Sequence, residues 1–464
     1  MSTKPPRLAT TSFAAPRTSL TRRSLLQYSM AGGAAAMLGA CSGQGAQGKT
    51  TITVANVSNP VTEDLQELTR SEFNAIHPDI EVRFSSLPET ELRERVARDV
   101  ANGSGQFDVL ALGPYETSQY SSQGWLADLR PLMDETEGYD AADLIPSVME
   151  TLSSDDQIWG APVYAESAFL MYRTDVFEER GLTMPEQPTW QEVAELAHTI
   201  HGPDLSGIAL RGLPGENQVS VMSVIYAFGG RLFTPEWEPT FTEAETREAI
   251  NFYVDLVRSA SPVGAASAGY NQALSSFAQG QAAMFMDATV AANTLEDPDQ
   301  STVAGKVGYA PAPHYRSDFG GWYWSWALSI PESSRHQEAA WSFVSWATSQ
   351  DYIKLAGETF GWERVPPGTR LSTYEISEYQ EAAPFAAATL EEIAKVSTDK
   401  LLKPTAPPQL PAAYFEFPQW TDVYMPMSQE IAAAIAGQQT ADQAVDAIQA
   451  SAEATMSRIG LWAG

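Results

Sequence analysis

From residue 50 onward the spacing of apolar positions alternates between two periods, and the switch between them outlines the fold. Thr51-Ile52-Thr53-Val54-Ala55 alternates and is β-branched, which predicts a first strand. Leu65, Leu68 and Phe73 then recur at helical spacing over 62–74, and Ile80-Glu81-Val82-Arg83-Phe84 reads as a second strand. A charged amphipathic helix over 89–101 closes at Asn102-Gly103. The apolar run Phe107-Asp108-Val109-Leu110-Ala111-Leu112 suits a strand buried on both faces. This β-α-β-α-β order predicts an α/β fold with a doubly wound, largely parallel sheet, in which ligands sit beyond the carboxyl ends of the strands.

The same grammar restarts downstream. Thr189 opens a helix over 190–201, a strand is read over 207–210, helices follow over 246–259 and 271–280, and Ala282-Ala283-Met284-Phe285-Met286 is a second buried run. A Pro-rich stretch over 403–418 interrupts the pattern before two helices, 427–436 and 440–458, finish the chain. Gly103-Ser104-Gly105 lacks the lysine and hydroxyl of a nucleotide loop and reads as a helix C-cap turn. The chain has 464 residues, and since single cores stop growing at about 250–300 residues, two lobes are expected.

Charge narrows the partners. Acids outnumber bases 58 to 28, and the first forty residues hold five of the bases (Lys4, Arg7, Arg17, Arg22, Arg23) and no acid. A surplus of negative charge on the rest repels phosphate backbones and anionic headgroups, so no nucleic-acid partner is expected. Arg22 and Arg23 precede an uncharged stretch over 24–40, the layout of a signal peptide and too short for a comfortable membrane span. Thr21-Arg22-Arg23-Ser24-Leu25-Leu26-Gln27 resembles a twin-arginine export signal, and Leu38-Gly39-Ala40-Cys41 resembles a bacterial lipobox. These resemblances imply a leader over 1–40, lipidation at Cys41 and a tether over 41–49 rich in Gly, Gln and Ser. Cys41 is the single cysteine, so no internal disulfide or thiolate metal site can form, and no metal or cofactor is expected.

Candidate chemistry is sparse. There is no Gly-x-Ser-x-Gly elbow, and the five histidines form no His-Glu-x-x-His arrangement. A glycosidase needs only two spaced carboxylates, so with 58 acids that enzyme class stays open at this stage.

The order of several short stretches resembles a known family. They are Leu87-Pro88-Glu89, Gly105-Gln106-Phe107-Asp108-Val109, Gly181-Leu182-Thr183-Met184-Pro185 with Pro188-Thr189-Trp190, and Leu210-Arg211-Gly212-Leu213-Pro214-Gly215. Further on come Phe228-Gly229-Gly230-Arg231, Asp287-Ala288-Thr289-Val290-Ala291-Ala292, Val307-Gly308-Tyr309-Ala310-Pro311-Ala312-Pro313, Trp324-Ser325-Trp326-Ala327-Leu328 and Val365-Pro366-Pro367-Gly368-Thr369-Arg370. From about residue 51 to 370 the chain resembles the family 1 extracellular solute-binding proteins of ABC importers, and within them the sorbitol and mannitol binding branch. One departure bears on the solute: the family segment after Leu213-Pro214-Gly215 is often longer and carries Trp-Gly, whereas here Gly215 runs directly into Glu216-Asn217.

The resemblance implies a periplasmic-binding-protein-like type II fold. Its two lobes are joined by three crossings, expected near 163–166, Trp326 and 396–400. The first lobe would comprise 50–163 with 327–398 and the second 164–326 with 399–464. It also implies a sugar alcohol or small carbohydrate ligand, a membrane permease as partner, a lipid-anchored extracellular location, no catalysis and a monomer. A di- or oligosaccharide ligand and a lipoprotein glycosidase are the alternatives. A polyol presents hydroxyls on an apolar chain, which calls for aromatic faces beside carboxylates, amides and Arg forks. On that ground Glu89, Tyr115, Glu116, Tyr164, Glu166, Arg211, Asn217, Asp287, Trp322, Trp324 and Arg364 are the candidate ligand contacts. Core packing would account for the tryptophans, and a helix N-cap for Asp287, without any ligand.

Overall fold

The computed structural model describes residues 49–154, 156–317, 321–383, 385–394 and 419–463. The leader, Cys41, the crossing at 396–400 and the Pro-rich stretch lie outside the described residues. The strands in chain order are β1 (Thr50–Val57), β2 (Ile80–Leu87), β3 (Val109–Leu112), the two-residue pair β4 (Ser153–Ser154) and β5 (Gln157–Ile158), and β6 (Ala161–Glu166). They continue with β7 (Ala168–Arg173), β8 (Met284–Ala288), β9 (Val307–Pro311) and β10 (Trp324–Ser329).

The predicted opening is observed. β1 lies parallel to β2, with Thr50 opposite Ile80, and parallel to β3, and Ile52 and Val54 are wholly buried. Helix Pro60–Leu68 follows β1 because Asn59 caps it: its side chain accepts from the Thr62 amide at 3.0 Å while Thr62 Oγ1 accepts from the Asn59 amide at 3.2 Å. Helix Glu89–Asn102 ends at Gly103, whose φ of 55° is the left-handed turn that glycine adopts without a Cβ penalty.

The sheets are less parallel than expected. β10 inserts between β3 and β6, antiparallel to both, so the large sheet runs β2-β1-β3-β10-β6. The smaller sheet centres on β7, antiparallel to β8 and β9. The strand read over 207–210 is present only as the isolated bridges Ser206 to Ala282 and Ala209 to Phe285. Its first amides are diverted instead: Gly207 and Ile208 both donate to the carbonyl of Ala260, at 2.8 and 3.1 Å.

Helix Thr421–Ile435 begins before the predicted 427, with Pro426 inside it. A proline there frees the carbonyl four residues back, and the Thr455 hydroxyl approaches that carbonyl, of Asp422, at 3.5 Å from helix Ala441–Arg458.

Each sheet forms the centre of one lobe, and the passage from large to small sheet is short. β6 ends at Glu166 and β7 begins at Ala168, leaving Ser167 between them. The return passage lies between β9 and β10, ahead of Trp324. The large sheet thus takes in Tyr164 to Glu166 and Trp324 to Trp326, residues that the sequence reading gives to the second lobe.

Candidate ligand-binding cleft

Between the lobes lies a cleft with a cavity volume of about 220 Å³. The first lobe contributes Glu89 and Arg93 from one helix, Asn59 from a helix cap, and Tyr164 and Glu166 from β6. The second lobe contributes Arg211, Glu216, Tyr270, Asn271 and Gln272. Trp322, Trp324 and Trp326 all line it as the alternation predicts, and Trp324 and Trp326 meet edge to face at 6.0 Å. Gly113 makes room for this wall, since a Cβ there would fall 2.0 Å from the Trp324 ring.

Two arginines organise the polar groups. Arg93 Nη2 pairs with Glu89 at 2.8 Å and its Nε with Glu116 at 2.8 Å, while its guanidinium lies 5.2 Å from the Trp324 ring. Arg211 holds Asp287 in a bidentate fork, with Nε to Oδ2 at 2.7 Å and Nη2 on Oδ1, and it lies 5.1 Å from the Tyr270 ring and 5.8 Å from Trp322. Burial alone would disfavour both cations, but their carboxylate partners outweigh it and hold both well above the ordinary range.

The remaining carboxyls are not so balanced. Burial pushes Glu166 well above the usual carboxylate range, with Arg211 opposing and Asp287 and Glu89 reinforcing the shift. Glu216 is also raised by burial and by Glu89, though its Oε2 accepts from the Tyr270 amide at 2.8 Å. Burial likewise raises the Tyr164 and Tyr270 hydroxyls, which keeps both neutral and able to donate.

Of the candidates, Glu89, Tyr164, Glu166, Arg211, Trp322 and Trp324 line the cleft. Glu116 and Asp287 stand behind it, each gripping a lining arginine. Asp287 lies within β8 and caps no helix, since the next helix starts at Ala291. Tyr115 instead meets the Thr421 hydroxyl at 3.0 Å, and Asn217 is wholly buried, donating to the carbonyls of Gly212 and Ser428. Arg93, Glu216, Tyr270 and Trp326 line the cleft without having been singled out as ligand contacts. Arg93 stands four residues after Glu89 and reads as an ordinary helix-surface pair, and nothing local marks it as buried.

Arg364 is elsewhere. Its Nε reaches Asp64 at 3.1 Å and its Nη1 reaches Asp297 at 3.0 Å, so it ties helix Pro60–Leu68 to the end of helix Ala291–Glu296. Burial raises the Asp64 carboxyl to about 6 despite Arg364. Because that value exceeds the unfolded one, the stability contributed by this group is full below about pH 4 and is lost as pH rises through about 6. The Asp64→Asn variant should remove this dependence. The gap between wild-type and variant urea-derived unfolding free energies is expected to shift by on the order of 1 kcal/mol between pH 4.5 and 7, allowing for screening at a partly hydrated site. Parallel midpoints at the two pH values would contradict the assignment.

The bacterial extracellular solute-binding protein family matches residues 58–354. The chain belongs to that family. The mannitol-binding protein of Pseudomonas aeruginosa is 40% identical over 421 residues, covering 89% of this chain and 95% of that one. Among solved structures, an ABC transporter solute-binding protein from Agrobacterium vitis with bound D-mannitol superposes with a TM-score of 0.85. It is 41% identical and covers 89% of this chain and 99% of that one. A ribitol complex from Agrobacterium radiobacter superposes at 0.78 with 20% identity, a likeness of fold. The two-lobed type II architecture of this solute-binding protein is the one the resemblance implied.

Proposed function

We propose that this chain captures a sugar alcohol, or a closely related small polyhydroxylated solute, between its lobes and delivers it unaltered to the permease of an ABC importer. What carries the reading is the cleft itself, in which tryptophan faces from one wall meet carboxylate and guanidinium groups contributed by both lobes. Such a site matches the apolar C–H faces and the dual donor and acceptor hydroxyls of an alditol. The mannitol-binding protein of Pseudomonas aeruginosa and the D-mannitol complex from Agrobacterium vitis, both at about 40% identity over nearly the whole chain, support the same class.

In this reading Trp322 and Trp324 pack on the carbon chain. Glu89, Tyr164, Glu166 and Arg211 hydrogen-bond the hydroxyls, while Glu116 and Asp287 position the two arginines. Tyr115 and Asn217 support the walls, and Arg364 acts on the join between lobes. Ser167 is the short hinge about which they close, and the ligand shifts that motion only through its tighter binding to the closed form. The leader pattern supports export by the twin-arginine route and anchoring through lipidated Cys41 at the outer face of the cytoplasmic membrane, and the protein is expected to act as a monomer.

A thermal-shift panel tests the ligand class. At a hundredfold excess over Kd the right solute stabilises by about 2.7 kcal/mol. D-mannitol, sorbitol, arabitol or xylitol should give that shift and be recovered intact by mass spectrometry. A response to maltose or trehalose alone, or turnover of any of them, would overturn the proposal.

A further inference from the structure

Counting charge around the cleft exposes an imbalance. Glu89, Glu166 and Glu216 line it and Glu116 and Asp287 back it, against the two guanidinium groups of Arg93 and Arg211. Those five carboxylates and two cations leave a formal surplus of three negative charges, and both arginines are already engaged, Arg93 by Glu89 and Glu116 and Arg211 by Asp287. Glu166 and Glu216 stand outside both pairs; Glu216 accepts from the Tyr270 amide, whereas Glu166 is 5% exposed, its Oε2 is buried with no hydrogen-bond partner, and among the described residues no cation stands within ion-pair distance of it. A buried carboxylate without a cation or donor is strongly disfavoured, and the ordinary response is to keep its proton.

We propose that Glu166 enters the closed cleft as a neutral carboxylic acid that donates a hydrogen bond to the solute, so that capture of an uncharged polyol is coupled to uptake of one proton.

The surroundings bear this out group by group. Tyr164 precedes Glu166 on β6, and Trp324 pairs with it in register on β10. Across the cleft Arg211 favours ionisation, whereas Asp287 on β8 and Glu89 on helix Glu89–Asn102 oppose it. Tyr270, Glu216 and Arg93 complete the charged and titratable neighbours in the same cavity. With the lobes apart, water reaches Glu166 and its carboxyl ionises at neutral pH. Closure withdraws that water, the dominant cause of the raised value, and brings up the Arg211–Asp287 pair, whose two charges act on the carboxyl in opposite senses. The proton therefore arrives with the ligand. An acid O–H at this point also supplies a donor where the lining is otherwise rich in acceptors, which suits a hydroxyl oxygen.

The inference rests on the polyol reading, and calorimetry separates the two. D-Mannitol is titrated into the wild-type protein at pH 7 in two buffers of different ionisation enthalpy, and the difference gives the protons taken up. About one per ligand is expected, with affinity falling up to about tenfold per pH unit as pH rises. Glu166→Gln, whose amide keeps a donor, should take up no proton and bind more tightly than wild type at pH 8. Equal enthalpies in both buffers for the wild type would overturn the inference and leave the polyol reading standing. Loss of uptake in Glu216→Gln with its retention in Glu166→Gln would also overturn it. Should no alditol bind, the polyol reading fails, and the same two-buffer titration with the sugar that does bind, maltose or trehalose, decides. Uptake of about one proton by the wild type and none by Glu166→Gln supports the neutral acid, and no uptake by the wild type overturns it.

Discussion

Replacing Arg211 by methionine is expected to lower the unfolding free energy by about 3–5 kcal/mol and to abolish solute capture. The size follows from what the substitution leaves behind. Asp287 is wholly buried in β8, and its carboxylate is held by the Arg211 fork through Nε and Nη2. Removing the fork strands that charge in a medium that cannot solvate it, a penalty larger than the pair contributes when intact. The same argument predicts a rescue. Arg211→Met combined with Asp287→Leu carries no stranded charge, and most of the lost stability should return. Capture should not, because the cleft would still lack its second-lobe cation. Urea midpoints and mannitol calorimetry on the three proteins check both halves. A single variant as stable as wild type, or a double variant less stable than the single, would refute the pairing argument.

How much of this was legible in the sequence varies with the distance over which each feature is decided. The opening strands and helices were readable because each is set within about fifteen residues: β1 by alternation, helix Pro60–Leu68 by the spacing of Leu65 and Leu68, helix Glu89–Asn102 by Gly103 at its end. The helix at Trp190–Ile200 was equally clear, since Thr189 and Glu192 form a reciprocal capping box. The three tryptophans were legible as one face because alternation in a strand fixes sidedness whatever the strand pairs with.

Long-range pairing was not legible. Nothing near Trp324 says that β10 will slip antiparallel between β3 and β6, strands more than 150 residues earlier. The same limit governs the site. Arg211 and Asp287 were each singled out, but that they form one fork 76 residues apart is a property of the folded second lobe. Arg364 illustrates the opposite error. Its position beside Trp362 suggested the cleft, while its actual partner Asp64 is 300 residues away. Arg93 was passed over because an i, i+4 pair with Glu89 has the same appearance on a solvated helix as on one that faces a buried cavity.

Arg370→Met is expected to cost about as much as the loss of Arg211, although Arg370 touches nothing in the cleft. The side chain is wholly buried and donates to the carbonyls of Thr348 at 2.9 Å, Asp140 at 2.9 Å and Tyr139 at 2.8 Å, with Asp143 within 3.3 Å. Each acceptor left unsatisfied costs about 1–3 kcal/mol, so a loss of about 3–5 kcal/mol in the urea-derived free energy is expected. Lysine cannot reproduce the fork, and Arg370→Lys should lose most of the same amount. The consequence reaches function through the chain just before it. Thr369 accepts from the Ile145 amide at 2.9 Å, Pro367 accepts from the Ala165 amide at 2.9 Å, and Gly368 packs so closely on Ala165 that a Cβ would lie 2.3 Å from its carbonyl oxygen. Arg370 therefore anchors the segment that braces β6 two residues before the Ser167 hinge. Hydrogen exchange at the Ala165 and Ile145 amides should accelerate in Arg370→Met, and mannitol affinity should fall because the closed form loses its brace. Unchanged exchange at Ala165 with a lowered urea midpoint would confine Arg370 to stability and sever it from the hinge.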